Sequence, residues 1–387
     1  MIWIKRAGSV LLWLAIVACL AAVIVPDFLD ARYYRGPRSA HFDGERFFNP
    51  DGGDDETITP TRSSGMIARY VLGRDDRPGW PDKVRVVPAK PPARVEGERM
   101  LVTWVGHASV LVQTQGLNIL TDPVWSDTVG PFGIGPRRIA EPGIRFEDLP
   151  KIDLVLVSHN HYDHMDLDTL KRLWDRDKPV IVTSLGNDSV IGEAGVPAKA
   201  LDWGGRTTLA PGIDVVVNRN HHWGSRWFAD RSRALWSSFV VKLPSGGNLF
   251  FGGDTGAGDL NWANEAAAYG PIRLAIIPIG AFRFTAGQMA AGSHIGPVDA
   301  VEVYRRLGAA HAIGVHWATF RLSYEAWDTP PRLLAAAERC AGLSGFGTQP
   351  IGRIVEVPPY RSLPPRPAVP RDALLKCLDT PAVAALR

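Results

Sequence analysis

The sequence predicts an α/β protein of four layers, in which two β-sheets pack face to face with helices on their outer surfaces, behind an apolar N-terminal helix. Three observations carry this. Short runs of branched and aromatic residues recur in two series, four helical patterns lie among them, and residues 7–25 carry no charge at all. Strand clusters flanked by helices in both halves of a chain call for two packed sheets rather than one. The 45% hydrophobic and 21% charged fractions are those of a globular chain that can bury a sizeable core.

Residues 1–26 form the first segment. At 1.5 Å per residue, the uncharged stretch spans roughly 28 Å as a helix, close to the hydrocarbon thickness of a bilayer. That length favours an uncleaved membrane anchor, with a signal segment removed on export as the rival. "IVAC", ending at Cys19, could pass for a lipoprotein cleavage site, yet residues 20–25 stay apolar beyond it. A helix buried in the core is disfavoured because the stretch is apolar all round. Lys5 and Arg6 favour a cytoplasmic N-terminus and so a catalytic domain on the export (periplasmic) side, although Arg32, Arg35 and Arg38 on the far side blur that bias.

Residues 27–98 are rich in Pro, Gly, Asp and Arg, as in "NPDGGDDETITPTRSSG", and read as an irregular arm. The compact domain follows over residues 99–356. "MLVTWVGHASVLVQT" and "GLNILTD" suggest a hairpin, and "IDLVLVS" and "PVIVT" buried strands. "IDVVVN", "LWSSFVVKL", "NLFFGGD", "LAIIPIG" and "AHAIGVH" make the second series. Helical patterns fit residues 166–174, 259–269, 297–307 and 324–342, with Pro330 and Pro331 expected to break the early turns of the last. Residues 357–387 open with a Pro-rich stretch and read as a surface tail.

The balance of 43 basic against 40 acidic residues, spread evenly, leaves no electrostatic footprint for nucleic acid. Cys19, Cys340 and Cys377 include no CxxC pair, so a metal must rely on His and Asp. An exported domain would favour Cys340 and Cys377 paired or within bonding range, with Cys19 apart.

"SHNHYDHMD" places His159, His161, Asp163 and His164 in the loop after the buried strand "IDLVLVS". A loop can turn neighbouring side chains toward one point, whereas a strand would send them to alternate faces. Imidazole nitrogen and carboxylate oxygen suit Zn²⁺ and other divalent transition metals, and the spacing suits two adjacent ions. Further donors end later strands: His221 and His222 in "NRNHHWG", Asp254 in "FFGGDTG", and His316 in "AIGVHWATF".

This pattern resembles the metallo-β-lactamase superfamily and its αββα sandwich. "TWVGHASVLVQTQGLNILTDPVWS", "HHWGSRW", "LWSSFVV", "GGDTG" and "HWATFRLSYE" narrow the likeness to the branch of phospholipases D that hydrolyse N-acyl phosphatidylethanolamine, with "HFDGERFFNP" at 41–50 as a further fragment. The resemblance implies two Zn²⁺ ions. His159, His161 and His222 would hold one, Asp163, His164 and His316 the other, and Asp254 would bridge them. His222 is preferred to His221 because it directly precedes the tryptophan.

By the same resemblance, His107 and Asp122 would orient ligands, and His294 in "AAGSHIGP" would face the substrate, or else cap the helix after it. Asp163, Asp254 and His294 are the implied catalytic residues, and His41 and His311 have no place in the pattern. Trp223, Trp227, Phe228, Phe282 and Phe284 are candidates for an acyl groove, although aromatic clusters beside strands are more often core.

The implied reaction is attack on phosphorus by a hydroxide held between the metals, releasing N-acylethanolamine and phosphatidic acid from a membrane phospholipid. The segment "RFTAGQMAAGS" departs from the branch and leaves the substrate open. One alternative is a lactone or phosphorylated-sugar hydrolase like the L-ascorbate-6-phosphate lactonases; another is a non-catalytic, membrane-tethered binding protein, which the full ligand set disfavours.

Overall fold

The computed structural model describes residues 2–29, 31–52, 78–227, 229–284, 288–362, 364 and 366–386. Helix α1 (Ile2–Leu29) forms where the apolar stretch lies. Its described side chains include Val10, Leu11, Leu12, Trp13 and Leu14, all largely exposed. Among the described residues no helix is long and apolar enough to cross a membrane.

One sheet comprises β1 (Met100–Gly106), β2 (Ser109–Thr114), β3 (Leu117–Thr121), β4 (Leu154–Val157), β5 (Val180–Ser184), β6 (Lys199–Leu201) and β14 (Ile354–Glu356), in the order β14-β1-β2-β3-β4-β5-β6. The second comprises β7 (Arg206–Ala210), β8 (Ile213–Asn218), β9 (Ser238–Lys242), β10 (Asn248–Phe251), β11 (Ile272–Pro278), β12 (His311–Val315) and β13 (Phe346–Gly347), in the order β13-β12-β11-β10-β9-β8-β7.

Period-two alternation explains why these strands read as unbroken apolar runs. In β4, Leu154 and Leu156 join the core between the sheets while Val155 and Val157 face the other way. In β10, Leu249 and Phe251 face that shared core and Phe250 packs outward. Both faces are buried, so neither needs polar residues. Helices α2 (Leu167–Asp177) and α3 (Asn187–Gly192) cover the first sheet. Helices α4 (Asn261–Ala267), α5 (Pro297–Leu307), α6 (Thr329–Cys340) and α7 (Arg371–Leu378) cover the second. The four expected layers are therefore present.

Two expectations about the ends are corrected. Pro330 and Pro331 occupy the first turn of α6, where proline's missing N–H costs nothing, so they start the helix at Thr329 rather than break one begun at residue 324. The expected tail carries α7 and a short helix α8 (Pro381–Ala384), and Leu374, Leu378 and Leu386 are buried against the second sheet's helices. A disulfide between Cys340 and Cys377 ties α7 to α6, and Cys19 is free.

That bond closes a loop between residues 37 apart in sequence. Restricting the unfolded chain over such a loop contributes at most about 4 kcal/mol. Thiol titration of the unreduced, denatured chain is expected to find one thiol, from Cys19, and reduction should lower the unfolding free energy by about 2–4 kcal/mol. Three titratable thiols would remove the bond.

Candidate metal centre

The strands that carry the site all end at one edge of the sandwich. β1, β3 and β4 run parallel in the first sheet, as do β8, β10, β11 and β12 in the second, so their following loops meet. After β4 the backbone turns sharply: the N–H groups of His164 and Met165 both donate to the carbonyl of His161, at 3.1 and 2.8 Å. Asp166 then caps α2, accepting from the Thr169 N–H at 3.2 Å. His159, His161, Asp163 and His164 are thereby turned inward. His222 arrives from the loop after β8, Asp254 from that after β10, and His316 from the end of β12.

Three of these strand ends carry unusual backbone. His107, Asp122 and His316 have φ of 52°, 30° and 66°, a left-handed region that costs a side-chain-bearing residue about 1–3 kcal/mol. Their shared placement marks this edge as the place where the fold accepts strain. Gly280 stands behind His316, and a Cβ there would lie 2.1 Å from the His316 carbonyl oxygen. Only glycine permits that approach.

Hydrogen bonds fix which nitrogen each ring presents. Asp122 accepts from the Ser158 N–H at 2.7 Å, the Ser158 hydroxyl at 2.6 Å and His164 Nδ1 at 2.6 Å. With its hydroxyl hydrogen given to Asp122, Ser158 accepts from His159 Nδ1 at 2.9 Å. His222 Nδ1 donates to the Ser293 carbonyl at 2.9 Å. The Nε2 lone pairs of His159 and His222 are therefore free and face inward, and His164, fixed at Nδ1, turns its Nε2 to the same space, an arrangement that suits metal ligation. His107 Nε2 holds Asp163 Oδ2 at 2.8 Å.

Two donor sets result. His164 Nε2 lies 3.2 Å from His316 Nε2 and 3.4 Å from Asp163 Oδ2, and His316 Nε2 lies 3.5 Å from that oxygen. Donors around one tetrahedral ion with bonds of about 2.0–2.1 Å are roughly 3.3 Å apart. In the other set, donor atoms of His159, His161 and His222 all lie within 4.8 Å of one another, with His159 Nε2 2.8 Å from His161 Nδ1. Asp254 Oδ2 touches both sets, at 3.1 Å from His164, 3.0 Å from His316 and 4.0 Å from His222. His222 Nε2 and Asp254 Oδ1 are buried without a hydrogen-bond partner, as open ligand atoms would be. The residues present fit two divalent ions.

Electrostatics point the same way. Burial pushes His159 and His222 well below the ordinary imidazole range and His161 to about 4, so these rings are neutral at pH 7. Burial, the largest single influence, would lower His164 and His316 too, but Asp254 and Asp163 together, with Asp122 at His164, outweigh it, raising His164 and bringing His316 to about 9. Burial, the largest single influence, would raise Asp163 and Asp254, yet His164 and His316 together, with His107 at Asp163, hold both well below the carboxylate range. Two ionised carboxylates are thus buried together, and such charge requires cations beside it.

The other candidates divide. His294 reaches the site, its Nδ1 3.7 Å from Asp254 Oδ2. Trp223 packs edge-on to His161 at 4.3 Å, and Phe284 lies 6.3 Å from His294. Trp227 contacts Phe132, an exposed side chain on the neighbouring loop. Phe282 is no groove residue: it is fully buried in the core outside the second sheet. Phe228 lies outside the described residues.

His221 points away from the donors and pairs with Asp51, and His41 pairs with Asp202. Sequence reasoning missed Ser158, Ser293 and Asn49. Ser158 alone had a visible cue, as the residue directly before the first ligand.

Residues 117–317 match the family described as the Beta-lactamase superfamily domain. An uncharacterized protein of Mycobacterium tuberculosis is 33% identical over 283 residues, 70% of this chain and 72% of its own length. The N-acyl-phosphatidylethanolamine-hydrolyzing phospholipase D 1 of Caenorhabditis elegans is 32% identical over 244 residues, 60% of this chain and 68% of its own. Among solved structures, the isothiocyanate hydrolase from Delia radicum gut bacteria superposes with a TM-score of 0.52 at 16% identity, covering 66% of this chain and 98% of that one. The last likeness concerns the fold alone.

Elemental analysis of purified protein is expected to find close to two divalent transition-metal ions per chain. Asp254→Ala should lose both, because each donor set then lacks its shared carboxylate. A value of one or none in active protein would overturn the two-ion fit.

Proposed function

We propose that this chain, which belongs to the β-lactamase superfamily, is a two-metal phosphodiesterase of the phospholipase D type. Its family makes it a metal-dependent hydrolase. The finer reading is cleavage of N-acyl phosphatidylethanolamine or a related phospholipid, with water adding to phosphorus as the bond to the N-acylethanolamine oxygen breaks. The products are phosphatidic acid and N-acylethanolamine. The observation that carries this is Asp254, one carboxylate within reach of two complete donor sets. The worm relative's name supplies the substrate class.

Two bound ions, Zn²⁺ or a similar metal, would supply Lewis acidity and a water of lowered pKa. The chain's own residues do the rest. Asp122 and Ser158 keep His164 and His159 in the ligating tautomer, and the Ser293 carbonyl does so for His222. His107 fixes the Asp163 carboxylate. Burial holds His294 neutral, lowering it to about 4, so its ring N–H can donate a hydrogen bond to a phosphoryl oxygen. Trp223 and Phe284 give the entrance apolar flanks suited to acyl chains.

We further place the catalytic domain at a bilayer surface on the export side. Val10, Leu11, Trp13, Leu14, Val17 and Leu20 are all exposed on α1, and an apolar helix with exposed side chains gains from lipid. The Cys340–Cys377 bond suits an oxidising compartment.

Removing residues 2–25 is expected to leave turnover of a small chromogenic phosphodiester within about twofold while lowering turnover of N-acyl phosphatidylethanolamine vesicles by about tenfold or more. His159→Ala should abolish both. Equal loss on both substrates would reassign the segment to folding. Intact, metal-loaded protein with no vesicle activity would overturn the phospholipase reading.

A further inference from the structure

We propose that Asn49 is a positioning residue for His222, which makes the N-terminal arm of residues 31–52 a working part of the metal centre; the inference rests on the ligand assignment above. His222 sits in a long connection between β8, which ends at Asn218, and β9, which begins at Ser238. Among the described residues there, no ladder holds the backbone. A ligand's ring can be no better placed than its own main chain, and metal sites tolerate only about half an ångström of drift.

The arm supplies what a neighbouring strand would. Asn49, 4% exposed, donates from Nδ2 to the His222 carbonyl at 2.9 Å and accepts the His222 N–H at Oδ1, at 3.3 Å. One side-chain amide thus pairs with both backbone groups of the ligand residue, as a β-partner would. The same Oδ1 accepts from Trp236 Nε1 at 3.1 Å, which fixes the amide's orientation. Other arm residues hold the rest of the connection: the Phe47 N–H donates to the Ser232 carbonyl at 2.8 Å, and Arg46 Nη2 to the Ala229 carbonyl at 3.0 Å.

The clasp also reaches the shared carboxylate. Asp51 accepts from His221 Nδ1 at 3.0 Å, His221 accepts at its carbonyl from the Gly256 N–H at 2.6 Å, and Asn220 Nδ2 donates to the Asp254 carbonyl at 2.8 Å. Residues 220–222 are therefore held between the arm and the turn that carries Asp254. "FFNPD" in the sequence is the part of the arm that makes this contact.

The test measures metal affinity per folded chain by chelator competition, together with kcat on a small phosphodiester and the visible spectrum of the Co²⁺-substituted protein, in full-length variants. Asn49→Ala should weaken binding of one of the two ions by about 10–100-fold and alter the Co²⁺ spectrum. Asn49→Asp keeps the size and the acceptor but sets a carboxylate oxygen, with no hydrogen to donate, against the His222 carbonyl, and should do the same if the alanine variant folds poorly. Leu307→Ala removes buried packing at the C-terminal end of α5, at a residue that is neither in the arm nor a donor. It should lower Tm while leaving affinity and kcat at parental values.

Parental affinity and kcat in either folded Asn49 variant would overturn the proposal whatever the Tm. So would an equal loss of affinity in Leu307→Ala, since lost packing anywhere in the core would then account for it. His222→Ala separates the two readings: if it keeps both ions tightly bound, the ligand assignment fails, whereas loss there with none in the Asn49 variants defeats the clasp alone.

Discussion

Two buried carboxylates, Asp163 and Asp254, constrain everything else in this molecule. Each is ionised, Asp254 is fully screened from water and Asp163 largely so, and each is surrounded by imidazoles from different strands. Isolated buried anions would be strongly destabilising, so the fold must deliver compensating charge to one place. It does so by ending the donor-bearing strands of both sheets at the same edge. The sandwich is thus more than a container for a core: its parallel strands bring residues as far apart in sequence as His159 and His316 into one donor cluster.

That delivery demands control of ring orientation, and hydrogen bonds from residues that need not touch a substrate provide it. Asp122 and Ser158 form a short relay beneath His159 and His164, and the Ser293 carbonyl serves His222. The relay links adjacent strands of the first sheet, β3 and β4. A change at Asp122 therefore bears on two rings that belong to different donor sets. The left-handed backbone at His107, Asp122 and His316 belongs to the same economy, since strain at a strand end is tolerated where the neighbouring contacts over-determine the conformation.

How much of this is legible in the sequence depends on the distance over which each feature is decided. The buried strands were legible because alternation puts apolar residues on both faces, and the ligand loop because four donors crowd into six positions after β4. Pro330 and Pro331 signalled a helix boundary, but not which side of it they belong to. Phe282 and Phe284 look alike in sequence; only the packing of Phe282 under α5 and the opening of Phe284 toward His294 separates them. Helix α3 is too short to show periodicity. Asn49 is least legible of all, because its partner His222 lies 173 positions away and no local pattern marks the pairing.

Long-range pairings of this kind change what the irregular parts of the chain are for. A segment with few periodic apolar residues reads as a linker, yet Phe42 and Phe47 are fully buried beside Leu235 and Trp236. Those two aromatic anchors fix the arm in register, and a fixed register is what allows Asn49 and Asp51 to meet His222 and His221. The C-terminal helices follow the same logic: Leu374 and Leu378 dock α7, the disulfide holds it to α6, and the Leu386 carbonyl accepts from Arg283 Nη1 at 2.9 Å. Arg283 directly precedes Phe284, whose ring lies 6.3 Å from that of His294. Both irregular ends of the chain therefore finish at the loops around the site, where the sheets supply ligands but no ladder to hold the connecting backbone.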